Sequence, residues 1–299
     1  MKPAFTFLVS LLLFSGSLCF SQGETKKSKK KKSKLQTGVY LGACFPNKYT
    51  AALYDGYGYN ADGLKNNFIN SFMFQKVVME YGGGYRQTDQ VALALGVNHG
   101  EWTFDQTDMP LNMKYNPAFM IGAQFSFAAT KKDALFLNAN AAKLALNGNF
   151  TIVITTPPIG PQPPGYQNIQ TFVITGSEQR FFFQAGYRRV LGDDEAFNFF
   201  IEGGPILNVT KYLRNQITIN TLHLDLATYY SQAYYPTYRA RYLNGLGLGA
   251  FAGLGLNMAA SEDWTLQLLY SPSYEKINIG EAPTLKLQHS AGLRVFYTL

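Results

Sequence analysis

Residues 284–299 alternate between apolar and polar side chains at almost every step. Leu285, Leu287, Ala291, Leu293, Val295, Tyr297 and Leu299 share one face, while Lys286, Gln288, Ser290, Gly292, Arg294 and Thr298 share the other. A period of two is the period of a β-strand, whose successive side chains point to opposite sides. Strands of a membrane-spanning β-barrel carry this pattern because lipid-facing and lumen-facing residues must alternate. The pattern runs to the C-terminus, as expected if the last strand pairs with the first and closes the barrel without an open edge in lipid.

The other end of the chain agrees with export. Lys2 precedes an apolar run over residues 4–14, and Cys19-Phe20-Ser21 forms a cleavage box before Gln22, so residues 1–21 read as a secretory signal peptide. Cys19 could instead be a lipidation site, but Leu18 stands where a lipobox needs a small residue. No later segment offers the roughly 18 uninterrupted apolar residues of a spanning helix, so any membrane crossing is made by strands.

Charge is concentrated at one place. Lys2 leaves with the signal and seven lysines lie between Lys26 and Lys34; 18 basic residues remain beyond them, matched by 18 acidic ones. The stretch 22–35 is therefore a Lys-rich tail with nothing apolar to bury, expected to be disordered and periplasmic. There it could meet anionic headgroups, peptidoglycan or an acidic partner. The body, 36–299, is neutral, low in charge (15% for the whole chain) and rich in Gly, Tyr and Phe, with 28, 20 and 23 of each in the whole chain. Barrels with aromatic girdles have this composition. Cys44 is the one cysteine left after signal cleavage, so an intramolecular disulfide is not expected.

Ten strands are predicted, at 36–45, 73–87, 90–104, 118–129, 134–156, 170–190, 197–210, 243–260, 264–279 and 284–299. The fold class is thus all-β, a transmembrane antiparallel up-and-down barrel of about 10 strands. In the fifth strand the apolar set changes parity, from Leu135 and Leu137 to Leu144 and Leu146, which predicts a bulge near Lys143. Short turns and long links alternate, the long ones being 46–72, 105–117, 157–169 and 211–242. That arrangement is expected when short turns are periplasmic, long loops are outside and both termini are periplasmic.

Inward parity assigns Lys76, Glu80, Arg86, Arg180, Arg188, Glu202, Lys286 and Arg294 to the lumen. Both signs are present, and buried charges must be paired, so a plugged lumen is expected. Against this, the inner face of the eighth strand is nearly all glycine (Gly245, Gly247, Gly249, Gly253, Gly255), leaving room for water or a small solute.

Function is sought in the long loops. Tyr54, Tyr57 and Tyr59 in the first, and Tyr229, Tyr230, Tyr234, Tyr235, Arg239 and Arg241 in the fourth, have the composition of protein- or glycan-recognition surfaces. An aromatic girdle at the membrane surface is the alternative reading. The Pro-rich run 157–165 reads as a stiff spur. The sequence offers no nucleotide loop, metal-ligand spacing or nucleophile elbow, so no cofactor, metal or nucleic-acid partner is expected.

Two resemblances follow. Length and a ten-strand count are similar to the omptin family of outer-membrane proteases, which pairs aspartates on one loop with an Asp-His pair on a facing loop. Here Asp105 and Asp108 are spaced one residue too far apart, His223-Leu224-Asp225 inverts the order of that pair, and the family's Trp-Thr-Asp-Glu-Ser run is missing. The whole chain also looks like the outer-membrane β-barrel proteins of Bacteroidota, on its signal ending in Phe-Ser-Gln, its Tyr-rich loops and its terminal Leu-Arg-Val-Phe-Tyr strand. That resemblance implies insertion by the barrel assembly machinery, with Tyr297 and Leu299 as recognition positions. Some such barrels are accessory subunits of secretion or gliding machines. The sequence-based expectation is a non-enzymatic binding or accessory barrel with an envelope protein or glycan partner. A narrow solute pore is the alternative and a protease the more distant one.

Overall fold

The fold is read from a computed structural model that describes residues 34–58, 64–85, 87–156, 161, 166–194, 196–226, 244–277 and 285–299. The predicted signal, the Lys-rich tail up to residue 33, the Pro-rich run except residue 161, Arg86, Tyr59 and the Tyr/Arg cluster of residues 229–241 lie outside the described residues. Among the described residues there are eleven strands: β1 (Leu35–Phe45), β2 (Trp102–Thr103), β3 (Lys114–Tyr115), β4 (Ala118–Ala128), β5 (Asp133–Ile154), β6 (Asn168–Leu191), β7 (Phe197–Ile219), β8 (Leu222–Asp225), β9 (Asn244–Ala259), β10 (Trp264–Lys276) and β11 (Leu285–Thr298).

Eight of these close a ring. Pairing runs antiparallel from β1 to β4, β5, β6, β7, β9, β10 and β11, and β11 returns to β1 in a register from Gln36↔Thr298 to Phe45↔His289. The expected closure by the last strand is therefore present. The ring has eight strands rather than ten, and the difference lies entirely in 46–117.

That segment contains helices where alternation predicts the second and third strands. Helical turns cover Lys48–Ala51, Ala52–Tyr54 and Phe72–Phe74, a π-helical stretch covers Gln75–Glu80, and a further helix covers Gln90–Leu95. The reason is local. The Ser71 side chain accepts from the backbone N–H of Phe74, and Asp89 accepts from that of Ala92, so each caps a helix start. Gly96, at φ 73°, supplies the left-handed residue that ends the last helix. Burial then follows a four-residue spacing: Met73 with Val77 and Val91 with Leu95 are buried, whereas Leu93, which an alternating strand would place beside them, is 74% exposed.

The ring strands differ in length. β5, β6 and β7 have 22, 24 and 23 residues, twice the 11 of β1 and β4. About 9–11 residues cross a bilayer, so these three strands continue as a wall beyond it. On β5 the outward residues from Leu135 to Ala141 are apolar, and Lys143, Asn147, Asn149 and Thr151 follow. Inward parity holds unbroken along β5. The expected bulge near Lys143 is therefore absent. What changes there is the surroundings: outside, β5 goes from wholly apolar to mostly polar, while inside it goes from Phe136, Asn138, Asn140 and Ala142 to Leu144, Leu146, Phe150 and Ile152. The register shift occurs instead on β7, where Ser177↔Arg214 and Glu178↔Tyr212 leave Leu213 as an extra residue.

The exposed apolar residues form a belt around the ring, including Leu41, Phe125, Leu137, Phe183, Ile201, Leu248, Leu268 and Leu293. A continuous belt of this kind far exceeds what a water-soluble surface carries, and it fits lipid. The second apolar mass is internal. Above the belt, Ala51, Tyr54, Met73, Val77, Leu95 and Trp102 of the 46–117 segment pack against Leu146, Phe150, Ile152, Ile174, Ile217 and Leu224 of the wall. The segment is thus a folded cap, held along β5 by β2 and β3. From the far side, the Asn220 amide donates to the Ala94 carbonyl at 2.7 Å.

Candidate functional site

Two layers of buried charge lie on the barrel axis. In the lower layer, Glu202 of β7 is held by two arginines. Arg294 reaches both of its carboxylate oxygens, Nη1 to Oε2 at 2.7 Å and Nη2 to Oε1 at 2.8 Å, and Arg188 donates from Nε to Oε2 at 2.9 Å. The fork-shaped guanidinium suits this two-point grip. The Arg188 guanidinium also lies 4.9–5.5 Å from the ring centres of Phe136, Phe200 and Phe296, where aromatic faces favour a cation. Three of the eight expected lumen charges are thus brought together in a single cluster.

The upper layer joins barrel to cap. Arg180 pairs with Glu178 on the same face of β6, Nε to Oε1 at 2.6 Å, and both side chains are fully buried. Three residues from the cap segment complete the layer: Tyr54 donates its hydroxyl to Glu178 Oε2 at 2.7 Å, Tyr115 donates to Oε1 at 3.2 Å, and Arg180 Nη2 donates to Thr50 Oγ1 at 3.3 Å. Beside it, Gln288 Oε1 accepts from the backbone N–H of Asn47 at 2.7 Å. Burial, and after it the facing Glu178 carboxylate, push the Tyr54 hydroxyl well above the usual phenol range. Tyr54 therefore stays a proton donor to Glu178. Glu275 is satisfied separately, by Asn208 Nδ2 at 2.7 Å and Ser273 Oγ at 2.9 Å.

Other expected positions fall elsewhere. Lys76 and Glu80 are not lumen residues: they sit one helical turn apart in the cap and pair with each other at 2.8 Å. Lys286 is at the rim, its ammonium 4.5 Å from the centre of the Tyr49 ring. Arg86 is outside the described residues. Tyr54 is completely buried, its ring stacked on Tyr212 at 5.1 Å, so it is no surface recognition residue. Tyr57 is half-buried, with the Lys65 ammonium 4.4 Å from its ring centre. Tyr297 faces outward beside Trp264, at 5.1 Å between rings. Leu299 is exposed, and its N–H donates to the Leu35 carbonyl at 3.1 Å, which ties the end of β11 to the start of β1.

Sequence reasoning misses Glu178, although it shares the parity of Arg180, two residues away on the same strand. The glycine face of β9 is present as expected, but it is not empty. A Cβ on Gly253 would lie 2.9 Å from Glu202 Cγ, and one on Gly247 would lie 2.8 Å from the Asn208 amide. The glycines make room for neighbouring side chains, not for solute. Between the two charged layers remains a cavity with about 20 Å³ of room, bordered by Cys44, Asn140, Gln184, Ser273, Glu275 and Gln288. That is enough for about one water.

The residues that resemble a protease site have structural partners. Asp108 accepts from the backbone N–H of Asp105 at 2.8 Å and from Thr151 Oγ1 at 2.5 Å. His223 Nδ1 lies 3.1 Å from Thr218 Oγ1 on the neighbouring strand. Thr151 and Thr218 are on strands separated by β6, so about 10 Å of sheet lies between the two groups. Among the described residues, no three His, Cys, Asp or Glu side chains gather as a metal site.

Register, belt and filled interior define the class as a closed, antiparallel, membrane-spanning β-barrel. No family model matches the sequence, and neither does any curated protein. Among solved structures, the chain is similar to outer membrane protein OprG of Pseudomonas aeruginosa (8% identity, 90% of this chain and 98% of that one, TM-score 0.41). It is also similar to Neisserial surface protein A (7%, 89% and 96%, 0.35) and to outer membrane protease OmpT of Escherichia coli (7%, 92% and 99%, 0.32). At such identities and scores these likenesses say nothing of what this chain does, and the fold stands on its own strand register.

Proposed function

We propose that this chain is a non-enzymatic outer-membrane barrel whose lumen is shut and whose cap, at the end opposite the termini, is a binding or accessory surface for an envelope protein or glycan. The observation that carries this reading is the continuity of the filling: the Arg188–Glu202–Arg294 cluster blocks the axis, and the cap is bonded to the Glu178–Arg180 pair above it. Insertion would proceed through the barrel assembly machinery acting on the last strand, with Tyr297 and Leu299 as the contact positions. The Lys-rich tail would then lie in the periplasm.

A narrow solute pore is the competing reading, and the small cavity between the layers is the observation in its favour. Reconstitution in planar bilayers separates the two. A shut lumen gives no steady single-channel conductance; steady openings in most insertions would replace it with the pore.

A further inference from the structure

The outer wall of β5, β6 and β7 carries a cationic cluster immediately above the apolar belt. Strand register places Lys143, Gln179 and Lys211 opposite one another in a single row, and all three have outward parity. The outward row beneath is Ala141, Phe181 and Val209, again directly opposed. One step along the strands thus changes the surface from hydrocarbon-like to cationic. The β7 irregularity adds a third charge. Because Leu213 is extra, Lys211 and Arg214 both face outward although they are three residues apart, a spacing that would put them on opposite faces of a regular strand. Arg214 is opposite Ser177, in the next row up from Gln179.

Among the described residues none of the three cations forms an ion pair. At the opposite end of the barrel two of the cations are compensated: Lys132 binds Asp193 at 2.6 Å and Arg189 lies 3.6 Å from Asp133. Lys143 and Lys211 are two strand spacings apart, about 10 Å, and their flexible four-carbon stems allow both ammonium groups to reach one anion lying over Gln179.

We propose that Lys143, Lys211 and Arg214 bind the phosphate of an anionic lipid headgroup in the leaflet at the cap end, with the lipid's chain lying on Phe181 and Val209. The proposal rests on the membrane-barrel reading. An anion held at this height by two or three cations, with apolar surface directly below, is an amphiphile's arrangement and not that of a soluble anion. Each cation near such a headgroup contributes about 1 kcal/mol, or roughly fivefold in affinity.

The test uses the full barrel in detergent micelles doped with phosphatidylglycerol or phosphatidylcholine, with retained lipid counted by native mass spectrometry. Wild type should prefer phosphatidylglycerol, and the preference should fall about fivefold for each of Lys143→Gln, Lys211→Gln and Arg214→Gln. Lys132→Gln, at the other end, should leave it unchanged. A triple variant that keeps the wild-type preference for phosphatidylglycerol would overturn the site, as would an equal loss in Lys132→Gln or full displacement by inorganic phosphate at the lipid's concentration. The gel mobility shift on boiling is read on every sample: if the triple variant loses it, the three single variants decide the matter. Its loss in wild type would instead remove the membrane-barrel reading on which the proposal rests.

Discussion

Glu202 is the residue on which the interior most depends. It is the shared anion of Arg188 and Arg294, and both arginines are almost wholly buried. Removing one partner of a buried pair typically costs about 3–5 kcal/mol, because the remaining charge is left in a poor solvent. Glu202→Gln is therefore expected to lower unfolding stability by about that amount, measured by urea titration in detergent. Replacing all three residues with apolar ones of similar size should cost much less. Tyr54 acts at the cap. Tyr54→Phe removes a hydrogen bond to a buried carboxylate, expected to weaken cap docking by about 1.5–3 kcal/mol, and limited proteolysis should then cut within 46–117 faster while the barrel stays intact. The inward positions of Arg180, Arg188, Glu202 and Arg294 were legible in the sequence, since parity alone decides them. Which arginine meets which carboxylate was not, because cross-strand register is set by strands far apart in the chain.

Elements show where sequence patterning succeeds and where it misleads. Every ring strand was legible as an alternating segment, since lipid outside imposes a period of two. The last nine residues of β7, 211–219, and the short β8 were nevertheless read as part of the long link 211–242, because the bulge at Leu213 breaks the alternation there. The segments 73–87 and 90–104 also alternate loosely, and so they read as strands. Their capping signals, Ser71, Asp89 and the terminal Gly96, point to helices and are masked by Leu93 and Met79, which happen to extend an alternating pattern. The parity change on β5 is visible in the sequence, but its meaning differs: an apolar residue faces outward in lipid and inward above it, so the switch marks the membrane boundary, not a bulge. Two predictions belong at this scale. Met73→Ala should destabilise the cap by about 2–5 kcal/mol, as expected for truncating a fully buried side chain, seen as faster hydrogen exchange over 72–95 with the ring unaffected. Deleting Leu213 should leave the fold intact, since the residues on either side keep their faces. Deleting Leu207, which is paired in register with Phe183, should invert the rest of β7 and abolish folding, as judged by the boiling-dependent gel shift.

The molecule as a whole combines two kinds of core. Within the belt, an eight-stranded ring faces lipid outside and encloses charged and polar groups packed among buried apolar side chains such as Phe136, Phe200, Phe251 and Leu269; above it, the same strands face water outside and enclose an apolar core shared with the cap. The balance of 18 basic and 18 acidic residues in the body conceals this division, and the total charge of +7 reflects the Lys-rich tail. Of the loop residues read from composition as a recognition surface, Tyr54 and Tyr57 serve the cap's own packing, and the others, Tyr59 and the cluster 229–241, lie outside the described residues. Closure of the barrel through β1 and β11 is the claim on which the rest stands, and comparing boiled with unboiled samples of the detergent-extracted outer-membrane fraction on a denaturing gel tests it most directly. A closed barrel predicts a folded form of distinct mobility that converts to the full-length position on boiling; identical mobility, with the protein recovered in the soluble periplasm, would contradict it.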